Sequence, residues 1–282
     1  MALWDTFESR LVISATLRSE TALRIGAGGD ESAQPSASDL PVLRGADDRP
    51  YIPGSSLRGV IRSQVERIVR TLEENSGNGR GACDPTTNQS WCIPANRIKD
   101  DWKKELRSPA SVSSNVDKEL AERVWNHSCR VCRVFGSAWL AARVRIADLH
   151  LSGEGMVQIE RRDGVAIDRD KETVQHKYDF ETIPRATAFN LQITAENLEP
   201  AERGLLWLGL RELIEGHILL GGFKGRGLGR ATLDDLSIQL VDATDRRALR
   251  DYLLQHRMTA LTPAQMDEWL ALLLDNLGLE GS

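Results

Sequence analysis

Four cysteines carry the most specific chemistry in this chain: Cys83, Cys92, Cys129 and Cys132. Cys129-Arg-Val-Cys132 is a CxxC knuckle, a spacing that lets two thiolates converge on one tetrahedral ion. Cys83 and Cys92 bracket DPTTNQSW, a turn-forming run able to return the chain to the same point. Four thiolates close a structural Zn2+ site and leave no position for water, with His127 as a substitute ligand. A redox CxxC is the competing reading. Such sites begin a helix that follows a strand, and these flanks do not read that way.

A second constellation runs from Leu220 to Leu233, LGGFKGRGLGRATL, with five glycines beside Lys224, Arg226 and Arg230. Bare backbone with cations suits a phosphate-bearing ligand. A Walker A loop would need GxxxxGK[ST], and a dinucleotide fingerprint would lead into a helix. Here a strand-like run follows. The amides around Gly222, Gly225 and Gly227, with the three cations, better suit a polyphosphate chain.

A third anion site is expected in PGSSLRGVIRSQVERIV. Pro53-Gly54 turns the chain, and Ser55 or Ser56 can cap a helix. Leu57, Ile61, Val65, Ile68 and Leu72 make its apolar stripe, and Arg58 and Arg62 lie off it. Free N–H groups and the helix dipole at that first turn favour an anion.

These sites need elements to hold them. LVISATLR (11–18) alternates as a strand, 142–151 reads as the next, and TAFNLQITAE as a third. EPAERGLLWLGLRELIEG is a second helix with Leu205, Leu206, Leu213 and Ile214 inward, and RATLDDLSIQLV is the last strand. The order is βαββαβ, a ferredoxin-like or RRM-type α+β palm over residues 1–241. It carries two insertions: an irregular one at about 76–135 holding the cysteines, and a charged protruding hairpin at about 154–184. Residues 242–282 read as a helical tail, with Thr262 as cap and Pro263 at the first helical position. Its leucines must dock on the main domain or on a partner.

The chain has 282 residues, 41% hydrophobic and 27% charged, with net charge −5. A generic DNA-coating protein held by bulk positive charge is thereby disfavoured. The start lacks a cationic, apolar leader, and no apolar run approaches a membrane span. A cytoplasmic protein with no membrane partner is expected.

SDLPVLRG…RPYIPGSSLRGVIRSQVE, CRVCRVFGSA before RVRIADL, and LLGGFKGRGLGRATL together resemble the RAMP superfamily. The chain is similar in particular to the Cas-seven-type backbone subunits of type III CRISPR effector complexes. The resemblance implies a CRISPR RNA guide, a target RNA and other complex subunits, including similar backbone subunits, as partners. It implies guide phosphates at the PGSSLRG helix start and the glycine loop, and it makes the hairpin a thumb set between duplex segments. It also implies that some copies cut target RNA with Mg2+ or Mn2+ at an aspartate after the first strand. By position that residue is Asp39, with Asp30 as a second choice. Arg44 would lie near target phosphate, and His176 and Lys177 in the thumb near a base or the backbone. The alternative in the same superfamily is a precursor-RNA processing endonuclease, which relies on an early histidine, and no histidine precedes His127.

Overall fold

The structure is a computed structural model in which residues 5–26, 38–74, 76–84, 86–106, 115–168 and 173–279 are described. In chain order the elements are β1 (Ser9–Ser19), α1 (Gly54–Leu72), α2 (Lys103–Leu106), α3 (Val116–His127), α4 (Arg130–Phe135), β2 (Val144–Ile146), β3 (Glu160–Asp168), β4 (Thr173–Thr182), β5 (Ala188–Glu196), α5 (Pro200–Ile214), β6 (Ala231–Asp242), α6 (Arg246–Gln255), β7 (Thr259–Leu261) and α7 (Pro263–Asn276). The main sheet is antiparallel in the order β2-β5-β1-β6-β7, while β3 and β4 pair as a separate hairpin.

β1 is central because its alternating apolar residues meet apolar partners on both sides. Ile13 lies opposite Ile193 of β5 and Ile238 of β6, and all three are buried. α1 buries Leu57, Ile61, Val65 and Val69 at helical spacing. It packs so closely on α5 that a Cβ on Gly209 would lie 2.5 Å from Ile61 Cγ2. α5 starts at a capping box between Glu199 and Glu202, with Pro200 leading the helix. The sequence gives α5 one inward face, yet Leu205, Leu206, Trp207, Leu210 and Leu213 are all buried. The reason is α7, which covers the other side with Met266, Leu270 and Leu273. Trp207 Nε1 also donates to Asp267 at 2.7 Å.

Three expectations are corrected. The tail is not purely helical, because β7 extends the sheet by pairing Leu261 with Ile238. The 76–135 insertion is not irregular throughout: it holds α2, α3 and α4. The strand read over 142–151 is only three residues long. Regular pairing ends at Ile146: Leu149 pairs with Ile52 instead, while single hydrogen bonds join Ala147 to Gln192 and His150 to Asn190 of β5, and Leu151 meets Phe189. Among the described residues no helix is long and apolar enough to cross a membrane.

Candidate nucleic-acid interface and metal centre

The thiol sulfurs of Cys83, Cys92, Cys129 and Cys132 all lie within 4.8 Å of one another. A metal–sulfur bond of about 2.3 Å in a tetrahedron implies sulfurs about 3.8 Å apart, so the four could hold a zinc ion. Cys83, Cys129 and Cys132 are buried and Cys92 is half-buried. The local fold makes this convergence. Cys129 caps α4, its sulfur accepting from the Cys132 N–H at 3.4 Å. The CxxC begins a helix, but α3 and not a strand precedes it, so it lacks the strand-then-helix setting of a redox CxxC. His127 stands apart from the sulfurs, its ring 4.8 Å from that of Trp102 and its Nδ1 2.9 Å from the Arg123 carbonyl oxygen. The crowded thiols hydrogen-bond one another, which draws Cys92 and Cys129 below the ordinary thiol range and pushes Cys132 above it.

α1 grips this centre. Arg62 donates to Cys132 Sγ at 3.4 Å, to the Gly136 carbonyl at 2.7 Å and to Glu66 at 2.7 Å. Burial alone would lower its affinity for a proton, but the cysteine and Glu66 reverse that and raise it. Arg70 donates to the Cys83 carbonyl at 2.9 Å. The buried Glu73 accepts from Gly81 at 2.6 Å and from Arg130 at 2.8 Å. Arg62, expected to face an anionic ligand, is thus turned toward the cysteines.

The start of α1 also differs from expectation. Pro53 occupies the cap position without a side-chain bond, so neither Ser55 nor Ser56 caps the helix. The Gly54 N–H goes to the Asp148 carboxylate at 2.8 Å, which already complements the helix dipole. Both serines are exposed, and Arg58, half-buried, has no carboxylate partner among the described residues.

The glycine loop sits at the end of the main sheet that carries the hairpin base: the Gly229 N–H donates to the Ala22 carbonyl, and Leu23 bridges Ile183. β1 ends where Arg18 pairs with Ala188 and Ser19 with Ala231. The glycine loop runs directly into Ala231, whereas the α1 start lies against Ile146, which pairs with Ile193 midway along β5. Phe223 at φ 57° and Gly227 at φ 82° frame a single turn over Lys224–Arg226. The glycines divide by role. A Cβ on Gly221 would lie 2.2 Å from the Arg24 carbonyl oxygen, whereas Gly225 and Gly227 face open space.

The loop cations have different partners. Arg230 is paired with Glu20. Arg226 donates to the Tyr178 hydroxyl and stacks 4.7 Å from the Phe223 ring centroid. Lys224 is exposed and without an ion pair among the described residues. Sequence reasoning missed Arg24. Its guanidinium lies over Phe223 at 4.9 Å, its buried Nε has no acceptor among the described residues, and burial lowers its proton affinity. The only signal was an arginine set between Leu23 and Ile25 ahead of a glycine.

Asp39 lies at the base of the hairpin. Its Oδ2 accepts from the Asp179 N–H at 2.9 Å, and Asp179 Oδ1 accepts from the Asp39 N–H at 2.9 Å. Leu40 bridges Phe180 beside this pair. Arg161 and the Ser38 hydroxyl bind the Asp179 carboxylate and hold its pKa at about 2. Two other expected RNA contacts are occupied within the chain: Arg44 by Glu181 and Asp48, both at 3.1 Å, and Lys177 by Asp163 at 3.2 Å. His176 lies in β4 opposite Ala166, and its side chain is outside the described residues, as is Asp30.

Residues 16–232 match the family model of the RAMP superfamily. The chain belongs to the RAMP superfamily. The matched span of this RAMP protein holds the cysteine centre, the hairpin, Asp39 and nearly all of the glycine loop. The chain is also 37% identical over 76 residues to the CRISPR system Cms endoribonuclease Csm3 of Methanocaldococcus jannaschii. That segment covers 27% of this RAMP chain and 29% of the relative.

Proposed function

We propose that this RAMP protein is an RNA-binding backbone subunit of a type III CRISPR interference complex. In this reading residues 1–241 form a ferredoxin-like, RRM-type palm, the β3–β4 hairpin is its thumb, and a zinc ion fixes the insertion. Guide phosphates run from Ser55, Ser56 and Arg58 to Gly222, Lys224, Gly225, Arg226 and Gly227. The observation that carries the reading is that the glycine loop and the hairpin base share one end of the sheet, where Arg24, Lys224 and Arg226 lack carboxylate partners among the described residues. Backbone amides and unpaired cations there give an acidic molecule a local track for a polyanion.

Target cutting is assigned to Asp39. Its N–H and one carboxylate oxygen are engaged with Asp179, which orients the group. Mg2+ keeps most of its waters and needs only one or two carboxylates, so Asp39 suits such an ion. When bound, Mg2+ or Mn2+ would stabilise charge developing on the phosphate. The target's own 2′-hydroxyl is the nucleophile, and the protein's part is to hold the strand in line.

The test is to purify the protein with a guide RNA and add complementary target RNA. Raised absorbance at 260 nm on purification and cleavage that stops in EDTA support the reading. A protein that retains no RNA at low salt rejects it. RNA retention without cleavage leaves a scaffold subunit and removes only the catalytic assignment.

A further inference from the structure

The C-terminal segment, outside the span that matches the family model, carries most of the large apolar side chains that the fold leaves uncovered. Among the described residues seven are exposed, and four of them lie here: Leu253 at 65% and Leu254 at 64% in α6, Leu272 in α7 and Leu279 just past it, each at 47%. A lone exposed leucine needs no explanation, but apolar surface gathered within a charged rim marks an interaction site. Helix α6 is held loosely. None of its ten residues is buried, although a helix this short depends on tertiary packing. Its inner side rests on half-buried Ala248, Leu249 and Tyr252, and the Tyr252 ring stacks 5.9 Å from that of Phe7. Helical spacing gathers Arg246, Arg247, Arg250, Leu253 and Leu254 on the other side, all exposed. These arginines have no carboxylate partner among the described residues, and Arg246 and Arg250 repel each other across one turn.

Helix α7 presents the opposite charge. Met266, Leu270 and Leu273 are buried, and helical spacing sets Glu268, Leu272 and Asp275 on the reverse face, with Leu279 following. All four are exposed, and neither carboxylate is ion-paired among the described residues. One chain thus displays a basic leucine stripe and an acidic leucine stripe. Both are exposed, so neither covers the other.

We propose that the α6 stripe of one copy packs on the α7 stripe of a second copy, leucines against leucines and arginines against carboxylates. RNA would answer the arginines but leave Leu253 and Leu254 in water. An anionic lipid surface would repel the α7 stripe. A second copy accounts for both stripes at once. The contact joins two different patches, so it is heterologous and can repeat from copy to copy. It needs no RNA and stands apart from the RNA-binding reading.

The experiment is sedimentation of the full chain, freed of RNA by nuclease and a high-salt wash, at about 1 to 100 μM. The expected result is reversible, concentration-dependent growth beyond a single chain, weakened by salt because exposed charges are screened. The charge reversals Arg246→Glu/Arg250→Glu and Glu268→Lys/Asp275→Lys should each keep the wild-type melting temperature, since all four positions are exposed. Each should weaken association about tenfold or more. Mixed together, the two variants should associate again. Glutamates on α6 of one then meet lysines on α7 of the other, and their unaltered stripes form the wild-type contact. Leu253→Ser/Leu254→Ser should weaken association without lowering the melting temperature.

A chain that stays single over the whole range, reversals that associate like wild type, or a mixture that does not recover would overturn the proposal. So would association that vanishes on nuclease treatment, which is RNA bridging. Loss of RNA affinity in Arg246→Glu/Arg250→Glu, in a chain that does not self-associate, would give the α6 stripe to nucleic acid instead. Self-association of a chain that retains no RNA would keep this contact and sink the backbone-subunit reading. RNA retention by a chain that stays single would do the reverse.

Discussion

Asp39 and Asp179 are tied by two reciprocal hydrogen bonds, each carboxylate accepting the other residue's backbone N–H at 2.9 Å. The pair clamps the loop after β1 to the base of the β3–β4 hairpin. The carboxylate proposed for catalysis is thereby oriented by the hairpin proposed as the thumb, and movement of one carries the other.

Replacing Asp39 tests the two roles separately. Asp39→Asn keeps an acceptor for the Asp179 N–H but loses the charge. It should retain RNA affinity and hairpin protection in hydrogen exchange while abolishing metal-dependent target cleavage. Cleavage at the wild-type rate would remove Asp39 from the chemistry.

Acid should spare this clamp longer than an ordinary carboxylate contact. Arg161 and the Ser38 hydroxyl hold Asp179 at about 2, below the usual value of about 3.9. A depressed folded-state pKa stabilises fully above the unfolded value and is lost as pH falls through the folded one. Protection of the Asp39 amide should therefore persist at pH 4 and decline toward pH 2. Loss of protection between pH 6 and 5 would show that another group controls the junction.

The proposed metal centre makes a prediction about Arg62. Four thiolates around Zn2+ would carry net negative charge, and this half-buried guanidinium donates to Cys132 Sγ at 3.4 Å. Removing a partner of that kind costs about 10- to 100-fold in metal affinity. Arg62→Met should show that loss in competition with a chelator, and Arg62→Lys should recover part of it. The variant should also unfold the insertion more readily, since Glu66 keeps only the longer 3.9 Å contact with Arg70. Unchanged zinc retention in Arg62→Met would refute the coupling.

Local periodicity made β1, α1, β5, α5 and β6 legible, because each carries its own hydrophobic repeat. The four cysteines were legible as a set, because their chemistry is specific even when their spacing is wide. What could not be read was which arginines are already satisfied. Arg44 and Arg62 look alike in sequence, as do Arg24 and Arg58. Only the fold brings Glu181 to the first and Cys132 to the second, while leaving the other two without a carboxylate partner among the described residues. The serine cap of α1 was misread for the same reason: Asp148, 94 residues away in sequence, takes the Gly54 N–H. The strand in the tail was missed because Thr259–Leu261 is too short to show a period and depends on the edge that β6 offers.

The glycine loop separates architecture from ligand contact. Gly221 sits at φ 74°, and an added Cβ would strike the Arg24 carbonyl oxygen. Gly221→Ala should lower stability by at least about 2 kcal/mol from the left-handed backbone and the clash together. Gly225 has nothing within 4 Å of its Cβ position, so Gly225→Ala should stay within about 0.5 kcal/mol of wild type. Weaker RNA binding in Gly225→Ala at unchanged melting temperature would mark this backbone as ligand-facing. Equal stability losses in both variants would mean the loop's glycines serve the fold alone.

Arg24 gives the sharpest separation of function from stability. Its guanidinium is half-buried, with an unpartnered Nε and no carboxylate beside it among the described residues. A desolvated cation in that state costs the folded protein free energy. Arg24→Met keeps most of the stem that packs on Phe223 and removes the charge, so its melting temperature should equal or exceed that of wild type. If the charge is there to meet a phosphate, the same variant should bind single-stranded RNA more weakly. Its plot of log affinity against log salt should be shallower by about 0.7, the change expected for one lost phosphate contact on a single strand. A stable variant with an unchanged salt slope would leave the buried charge without a ligand and remove Arg24 from the interface.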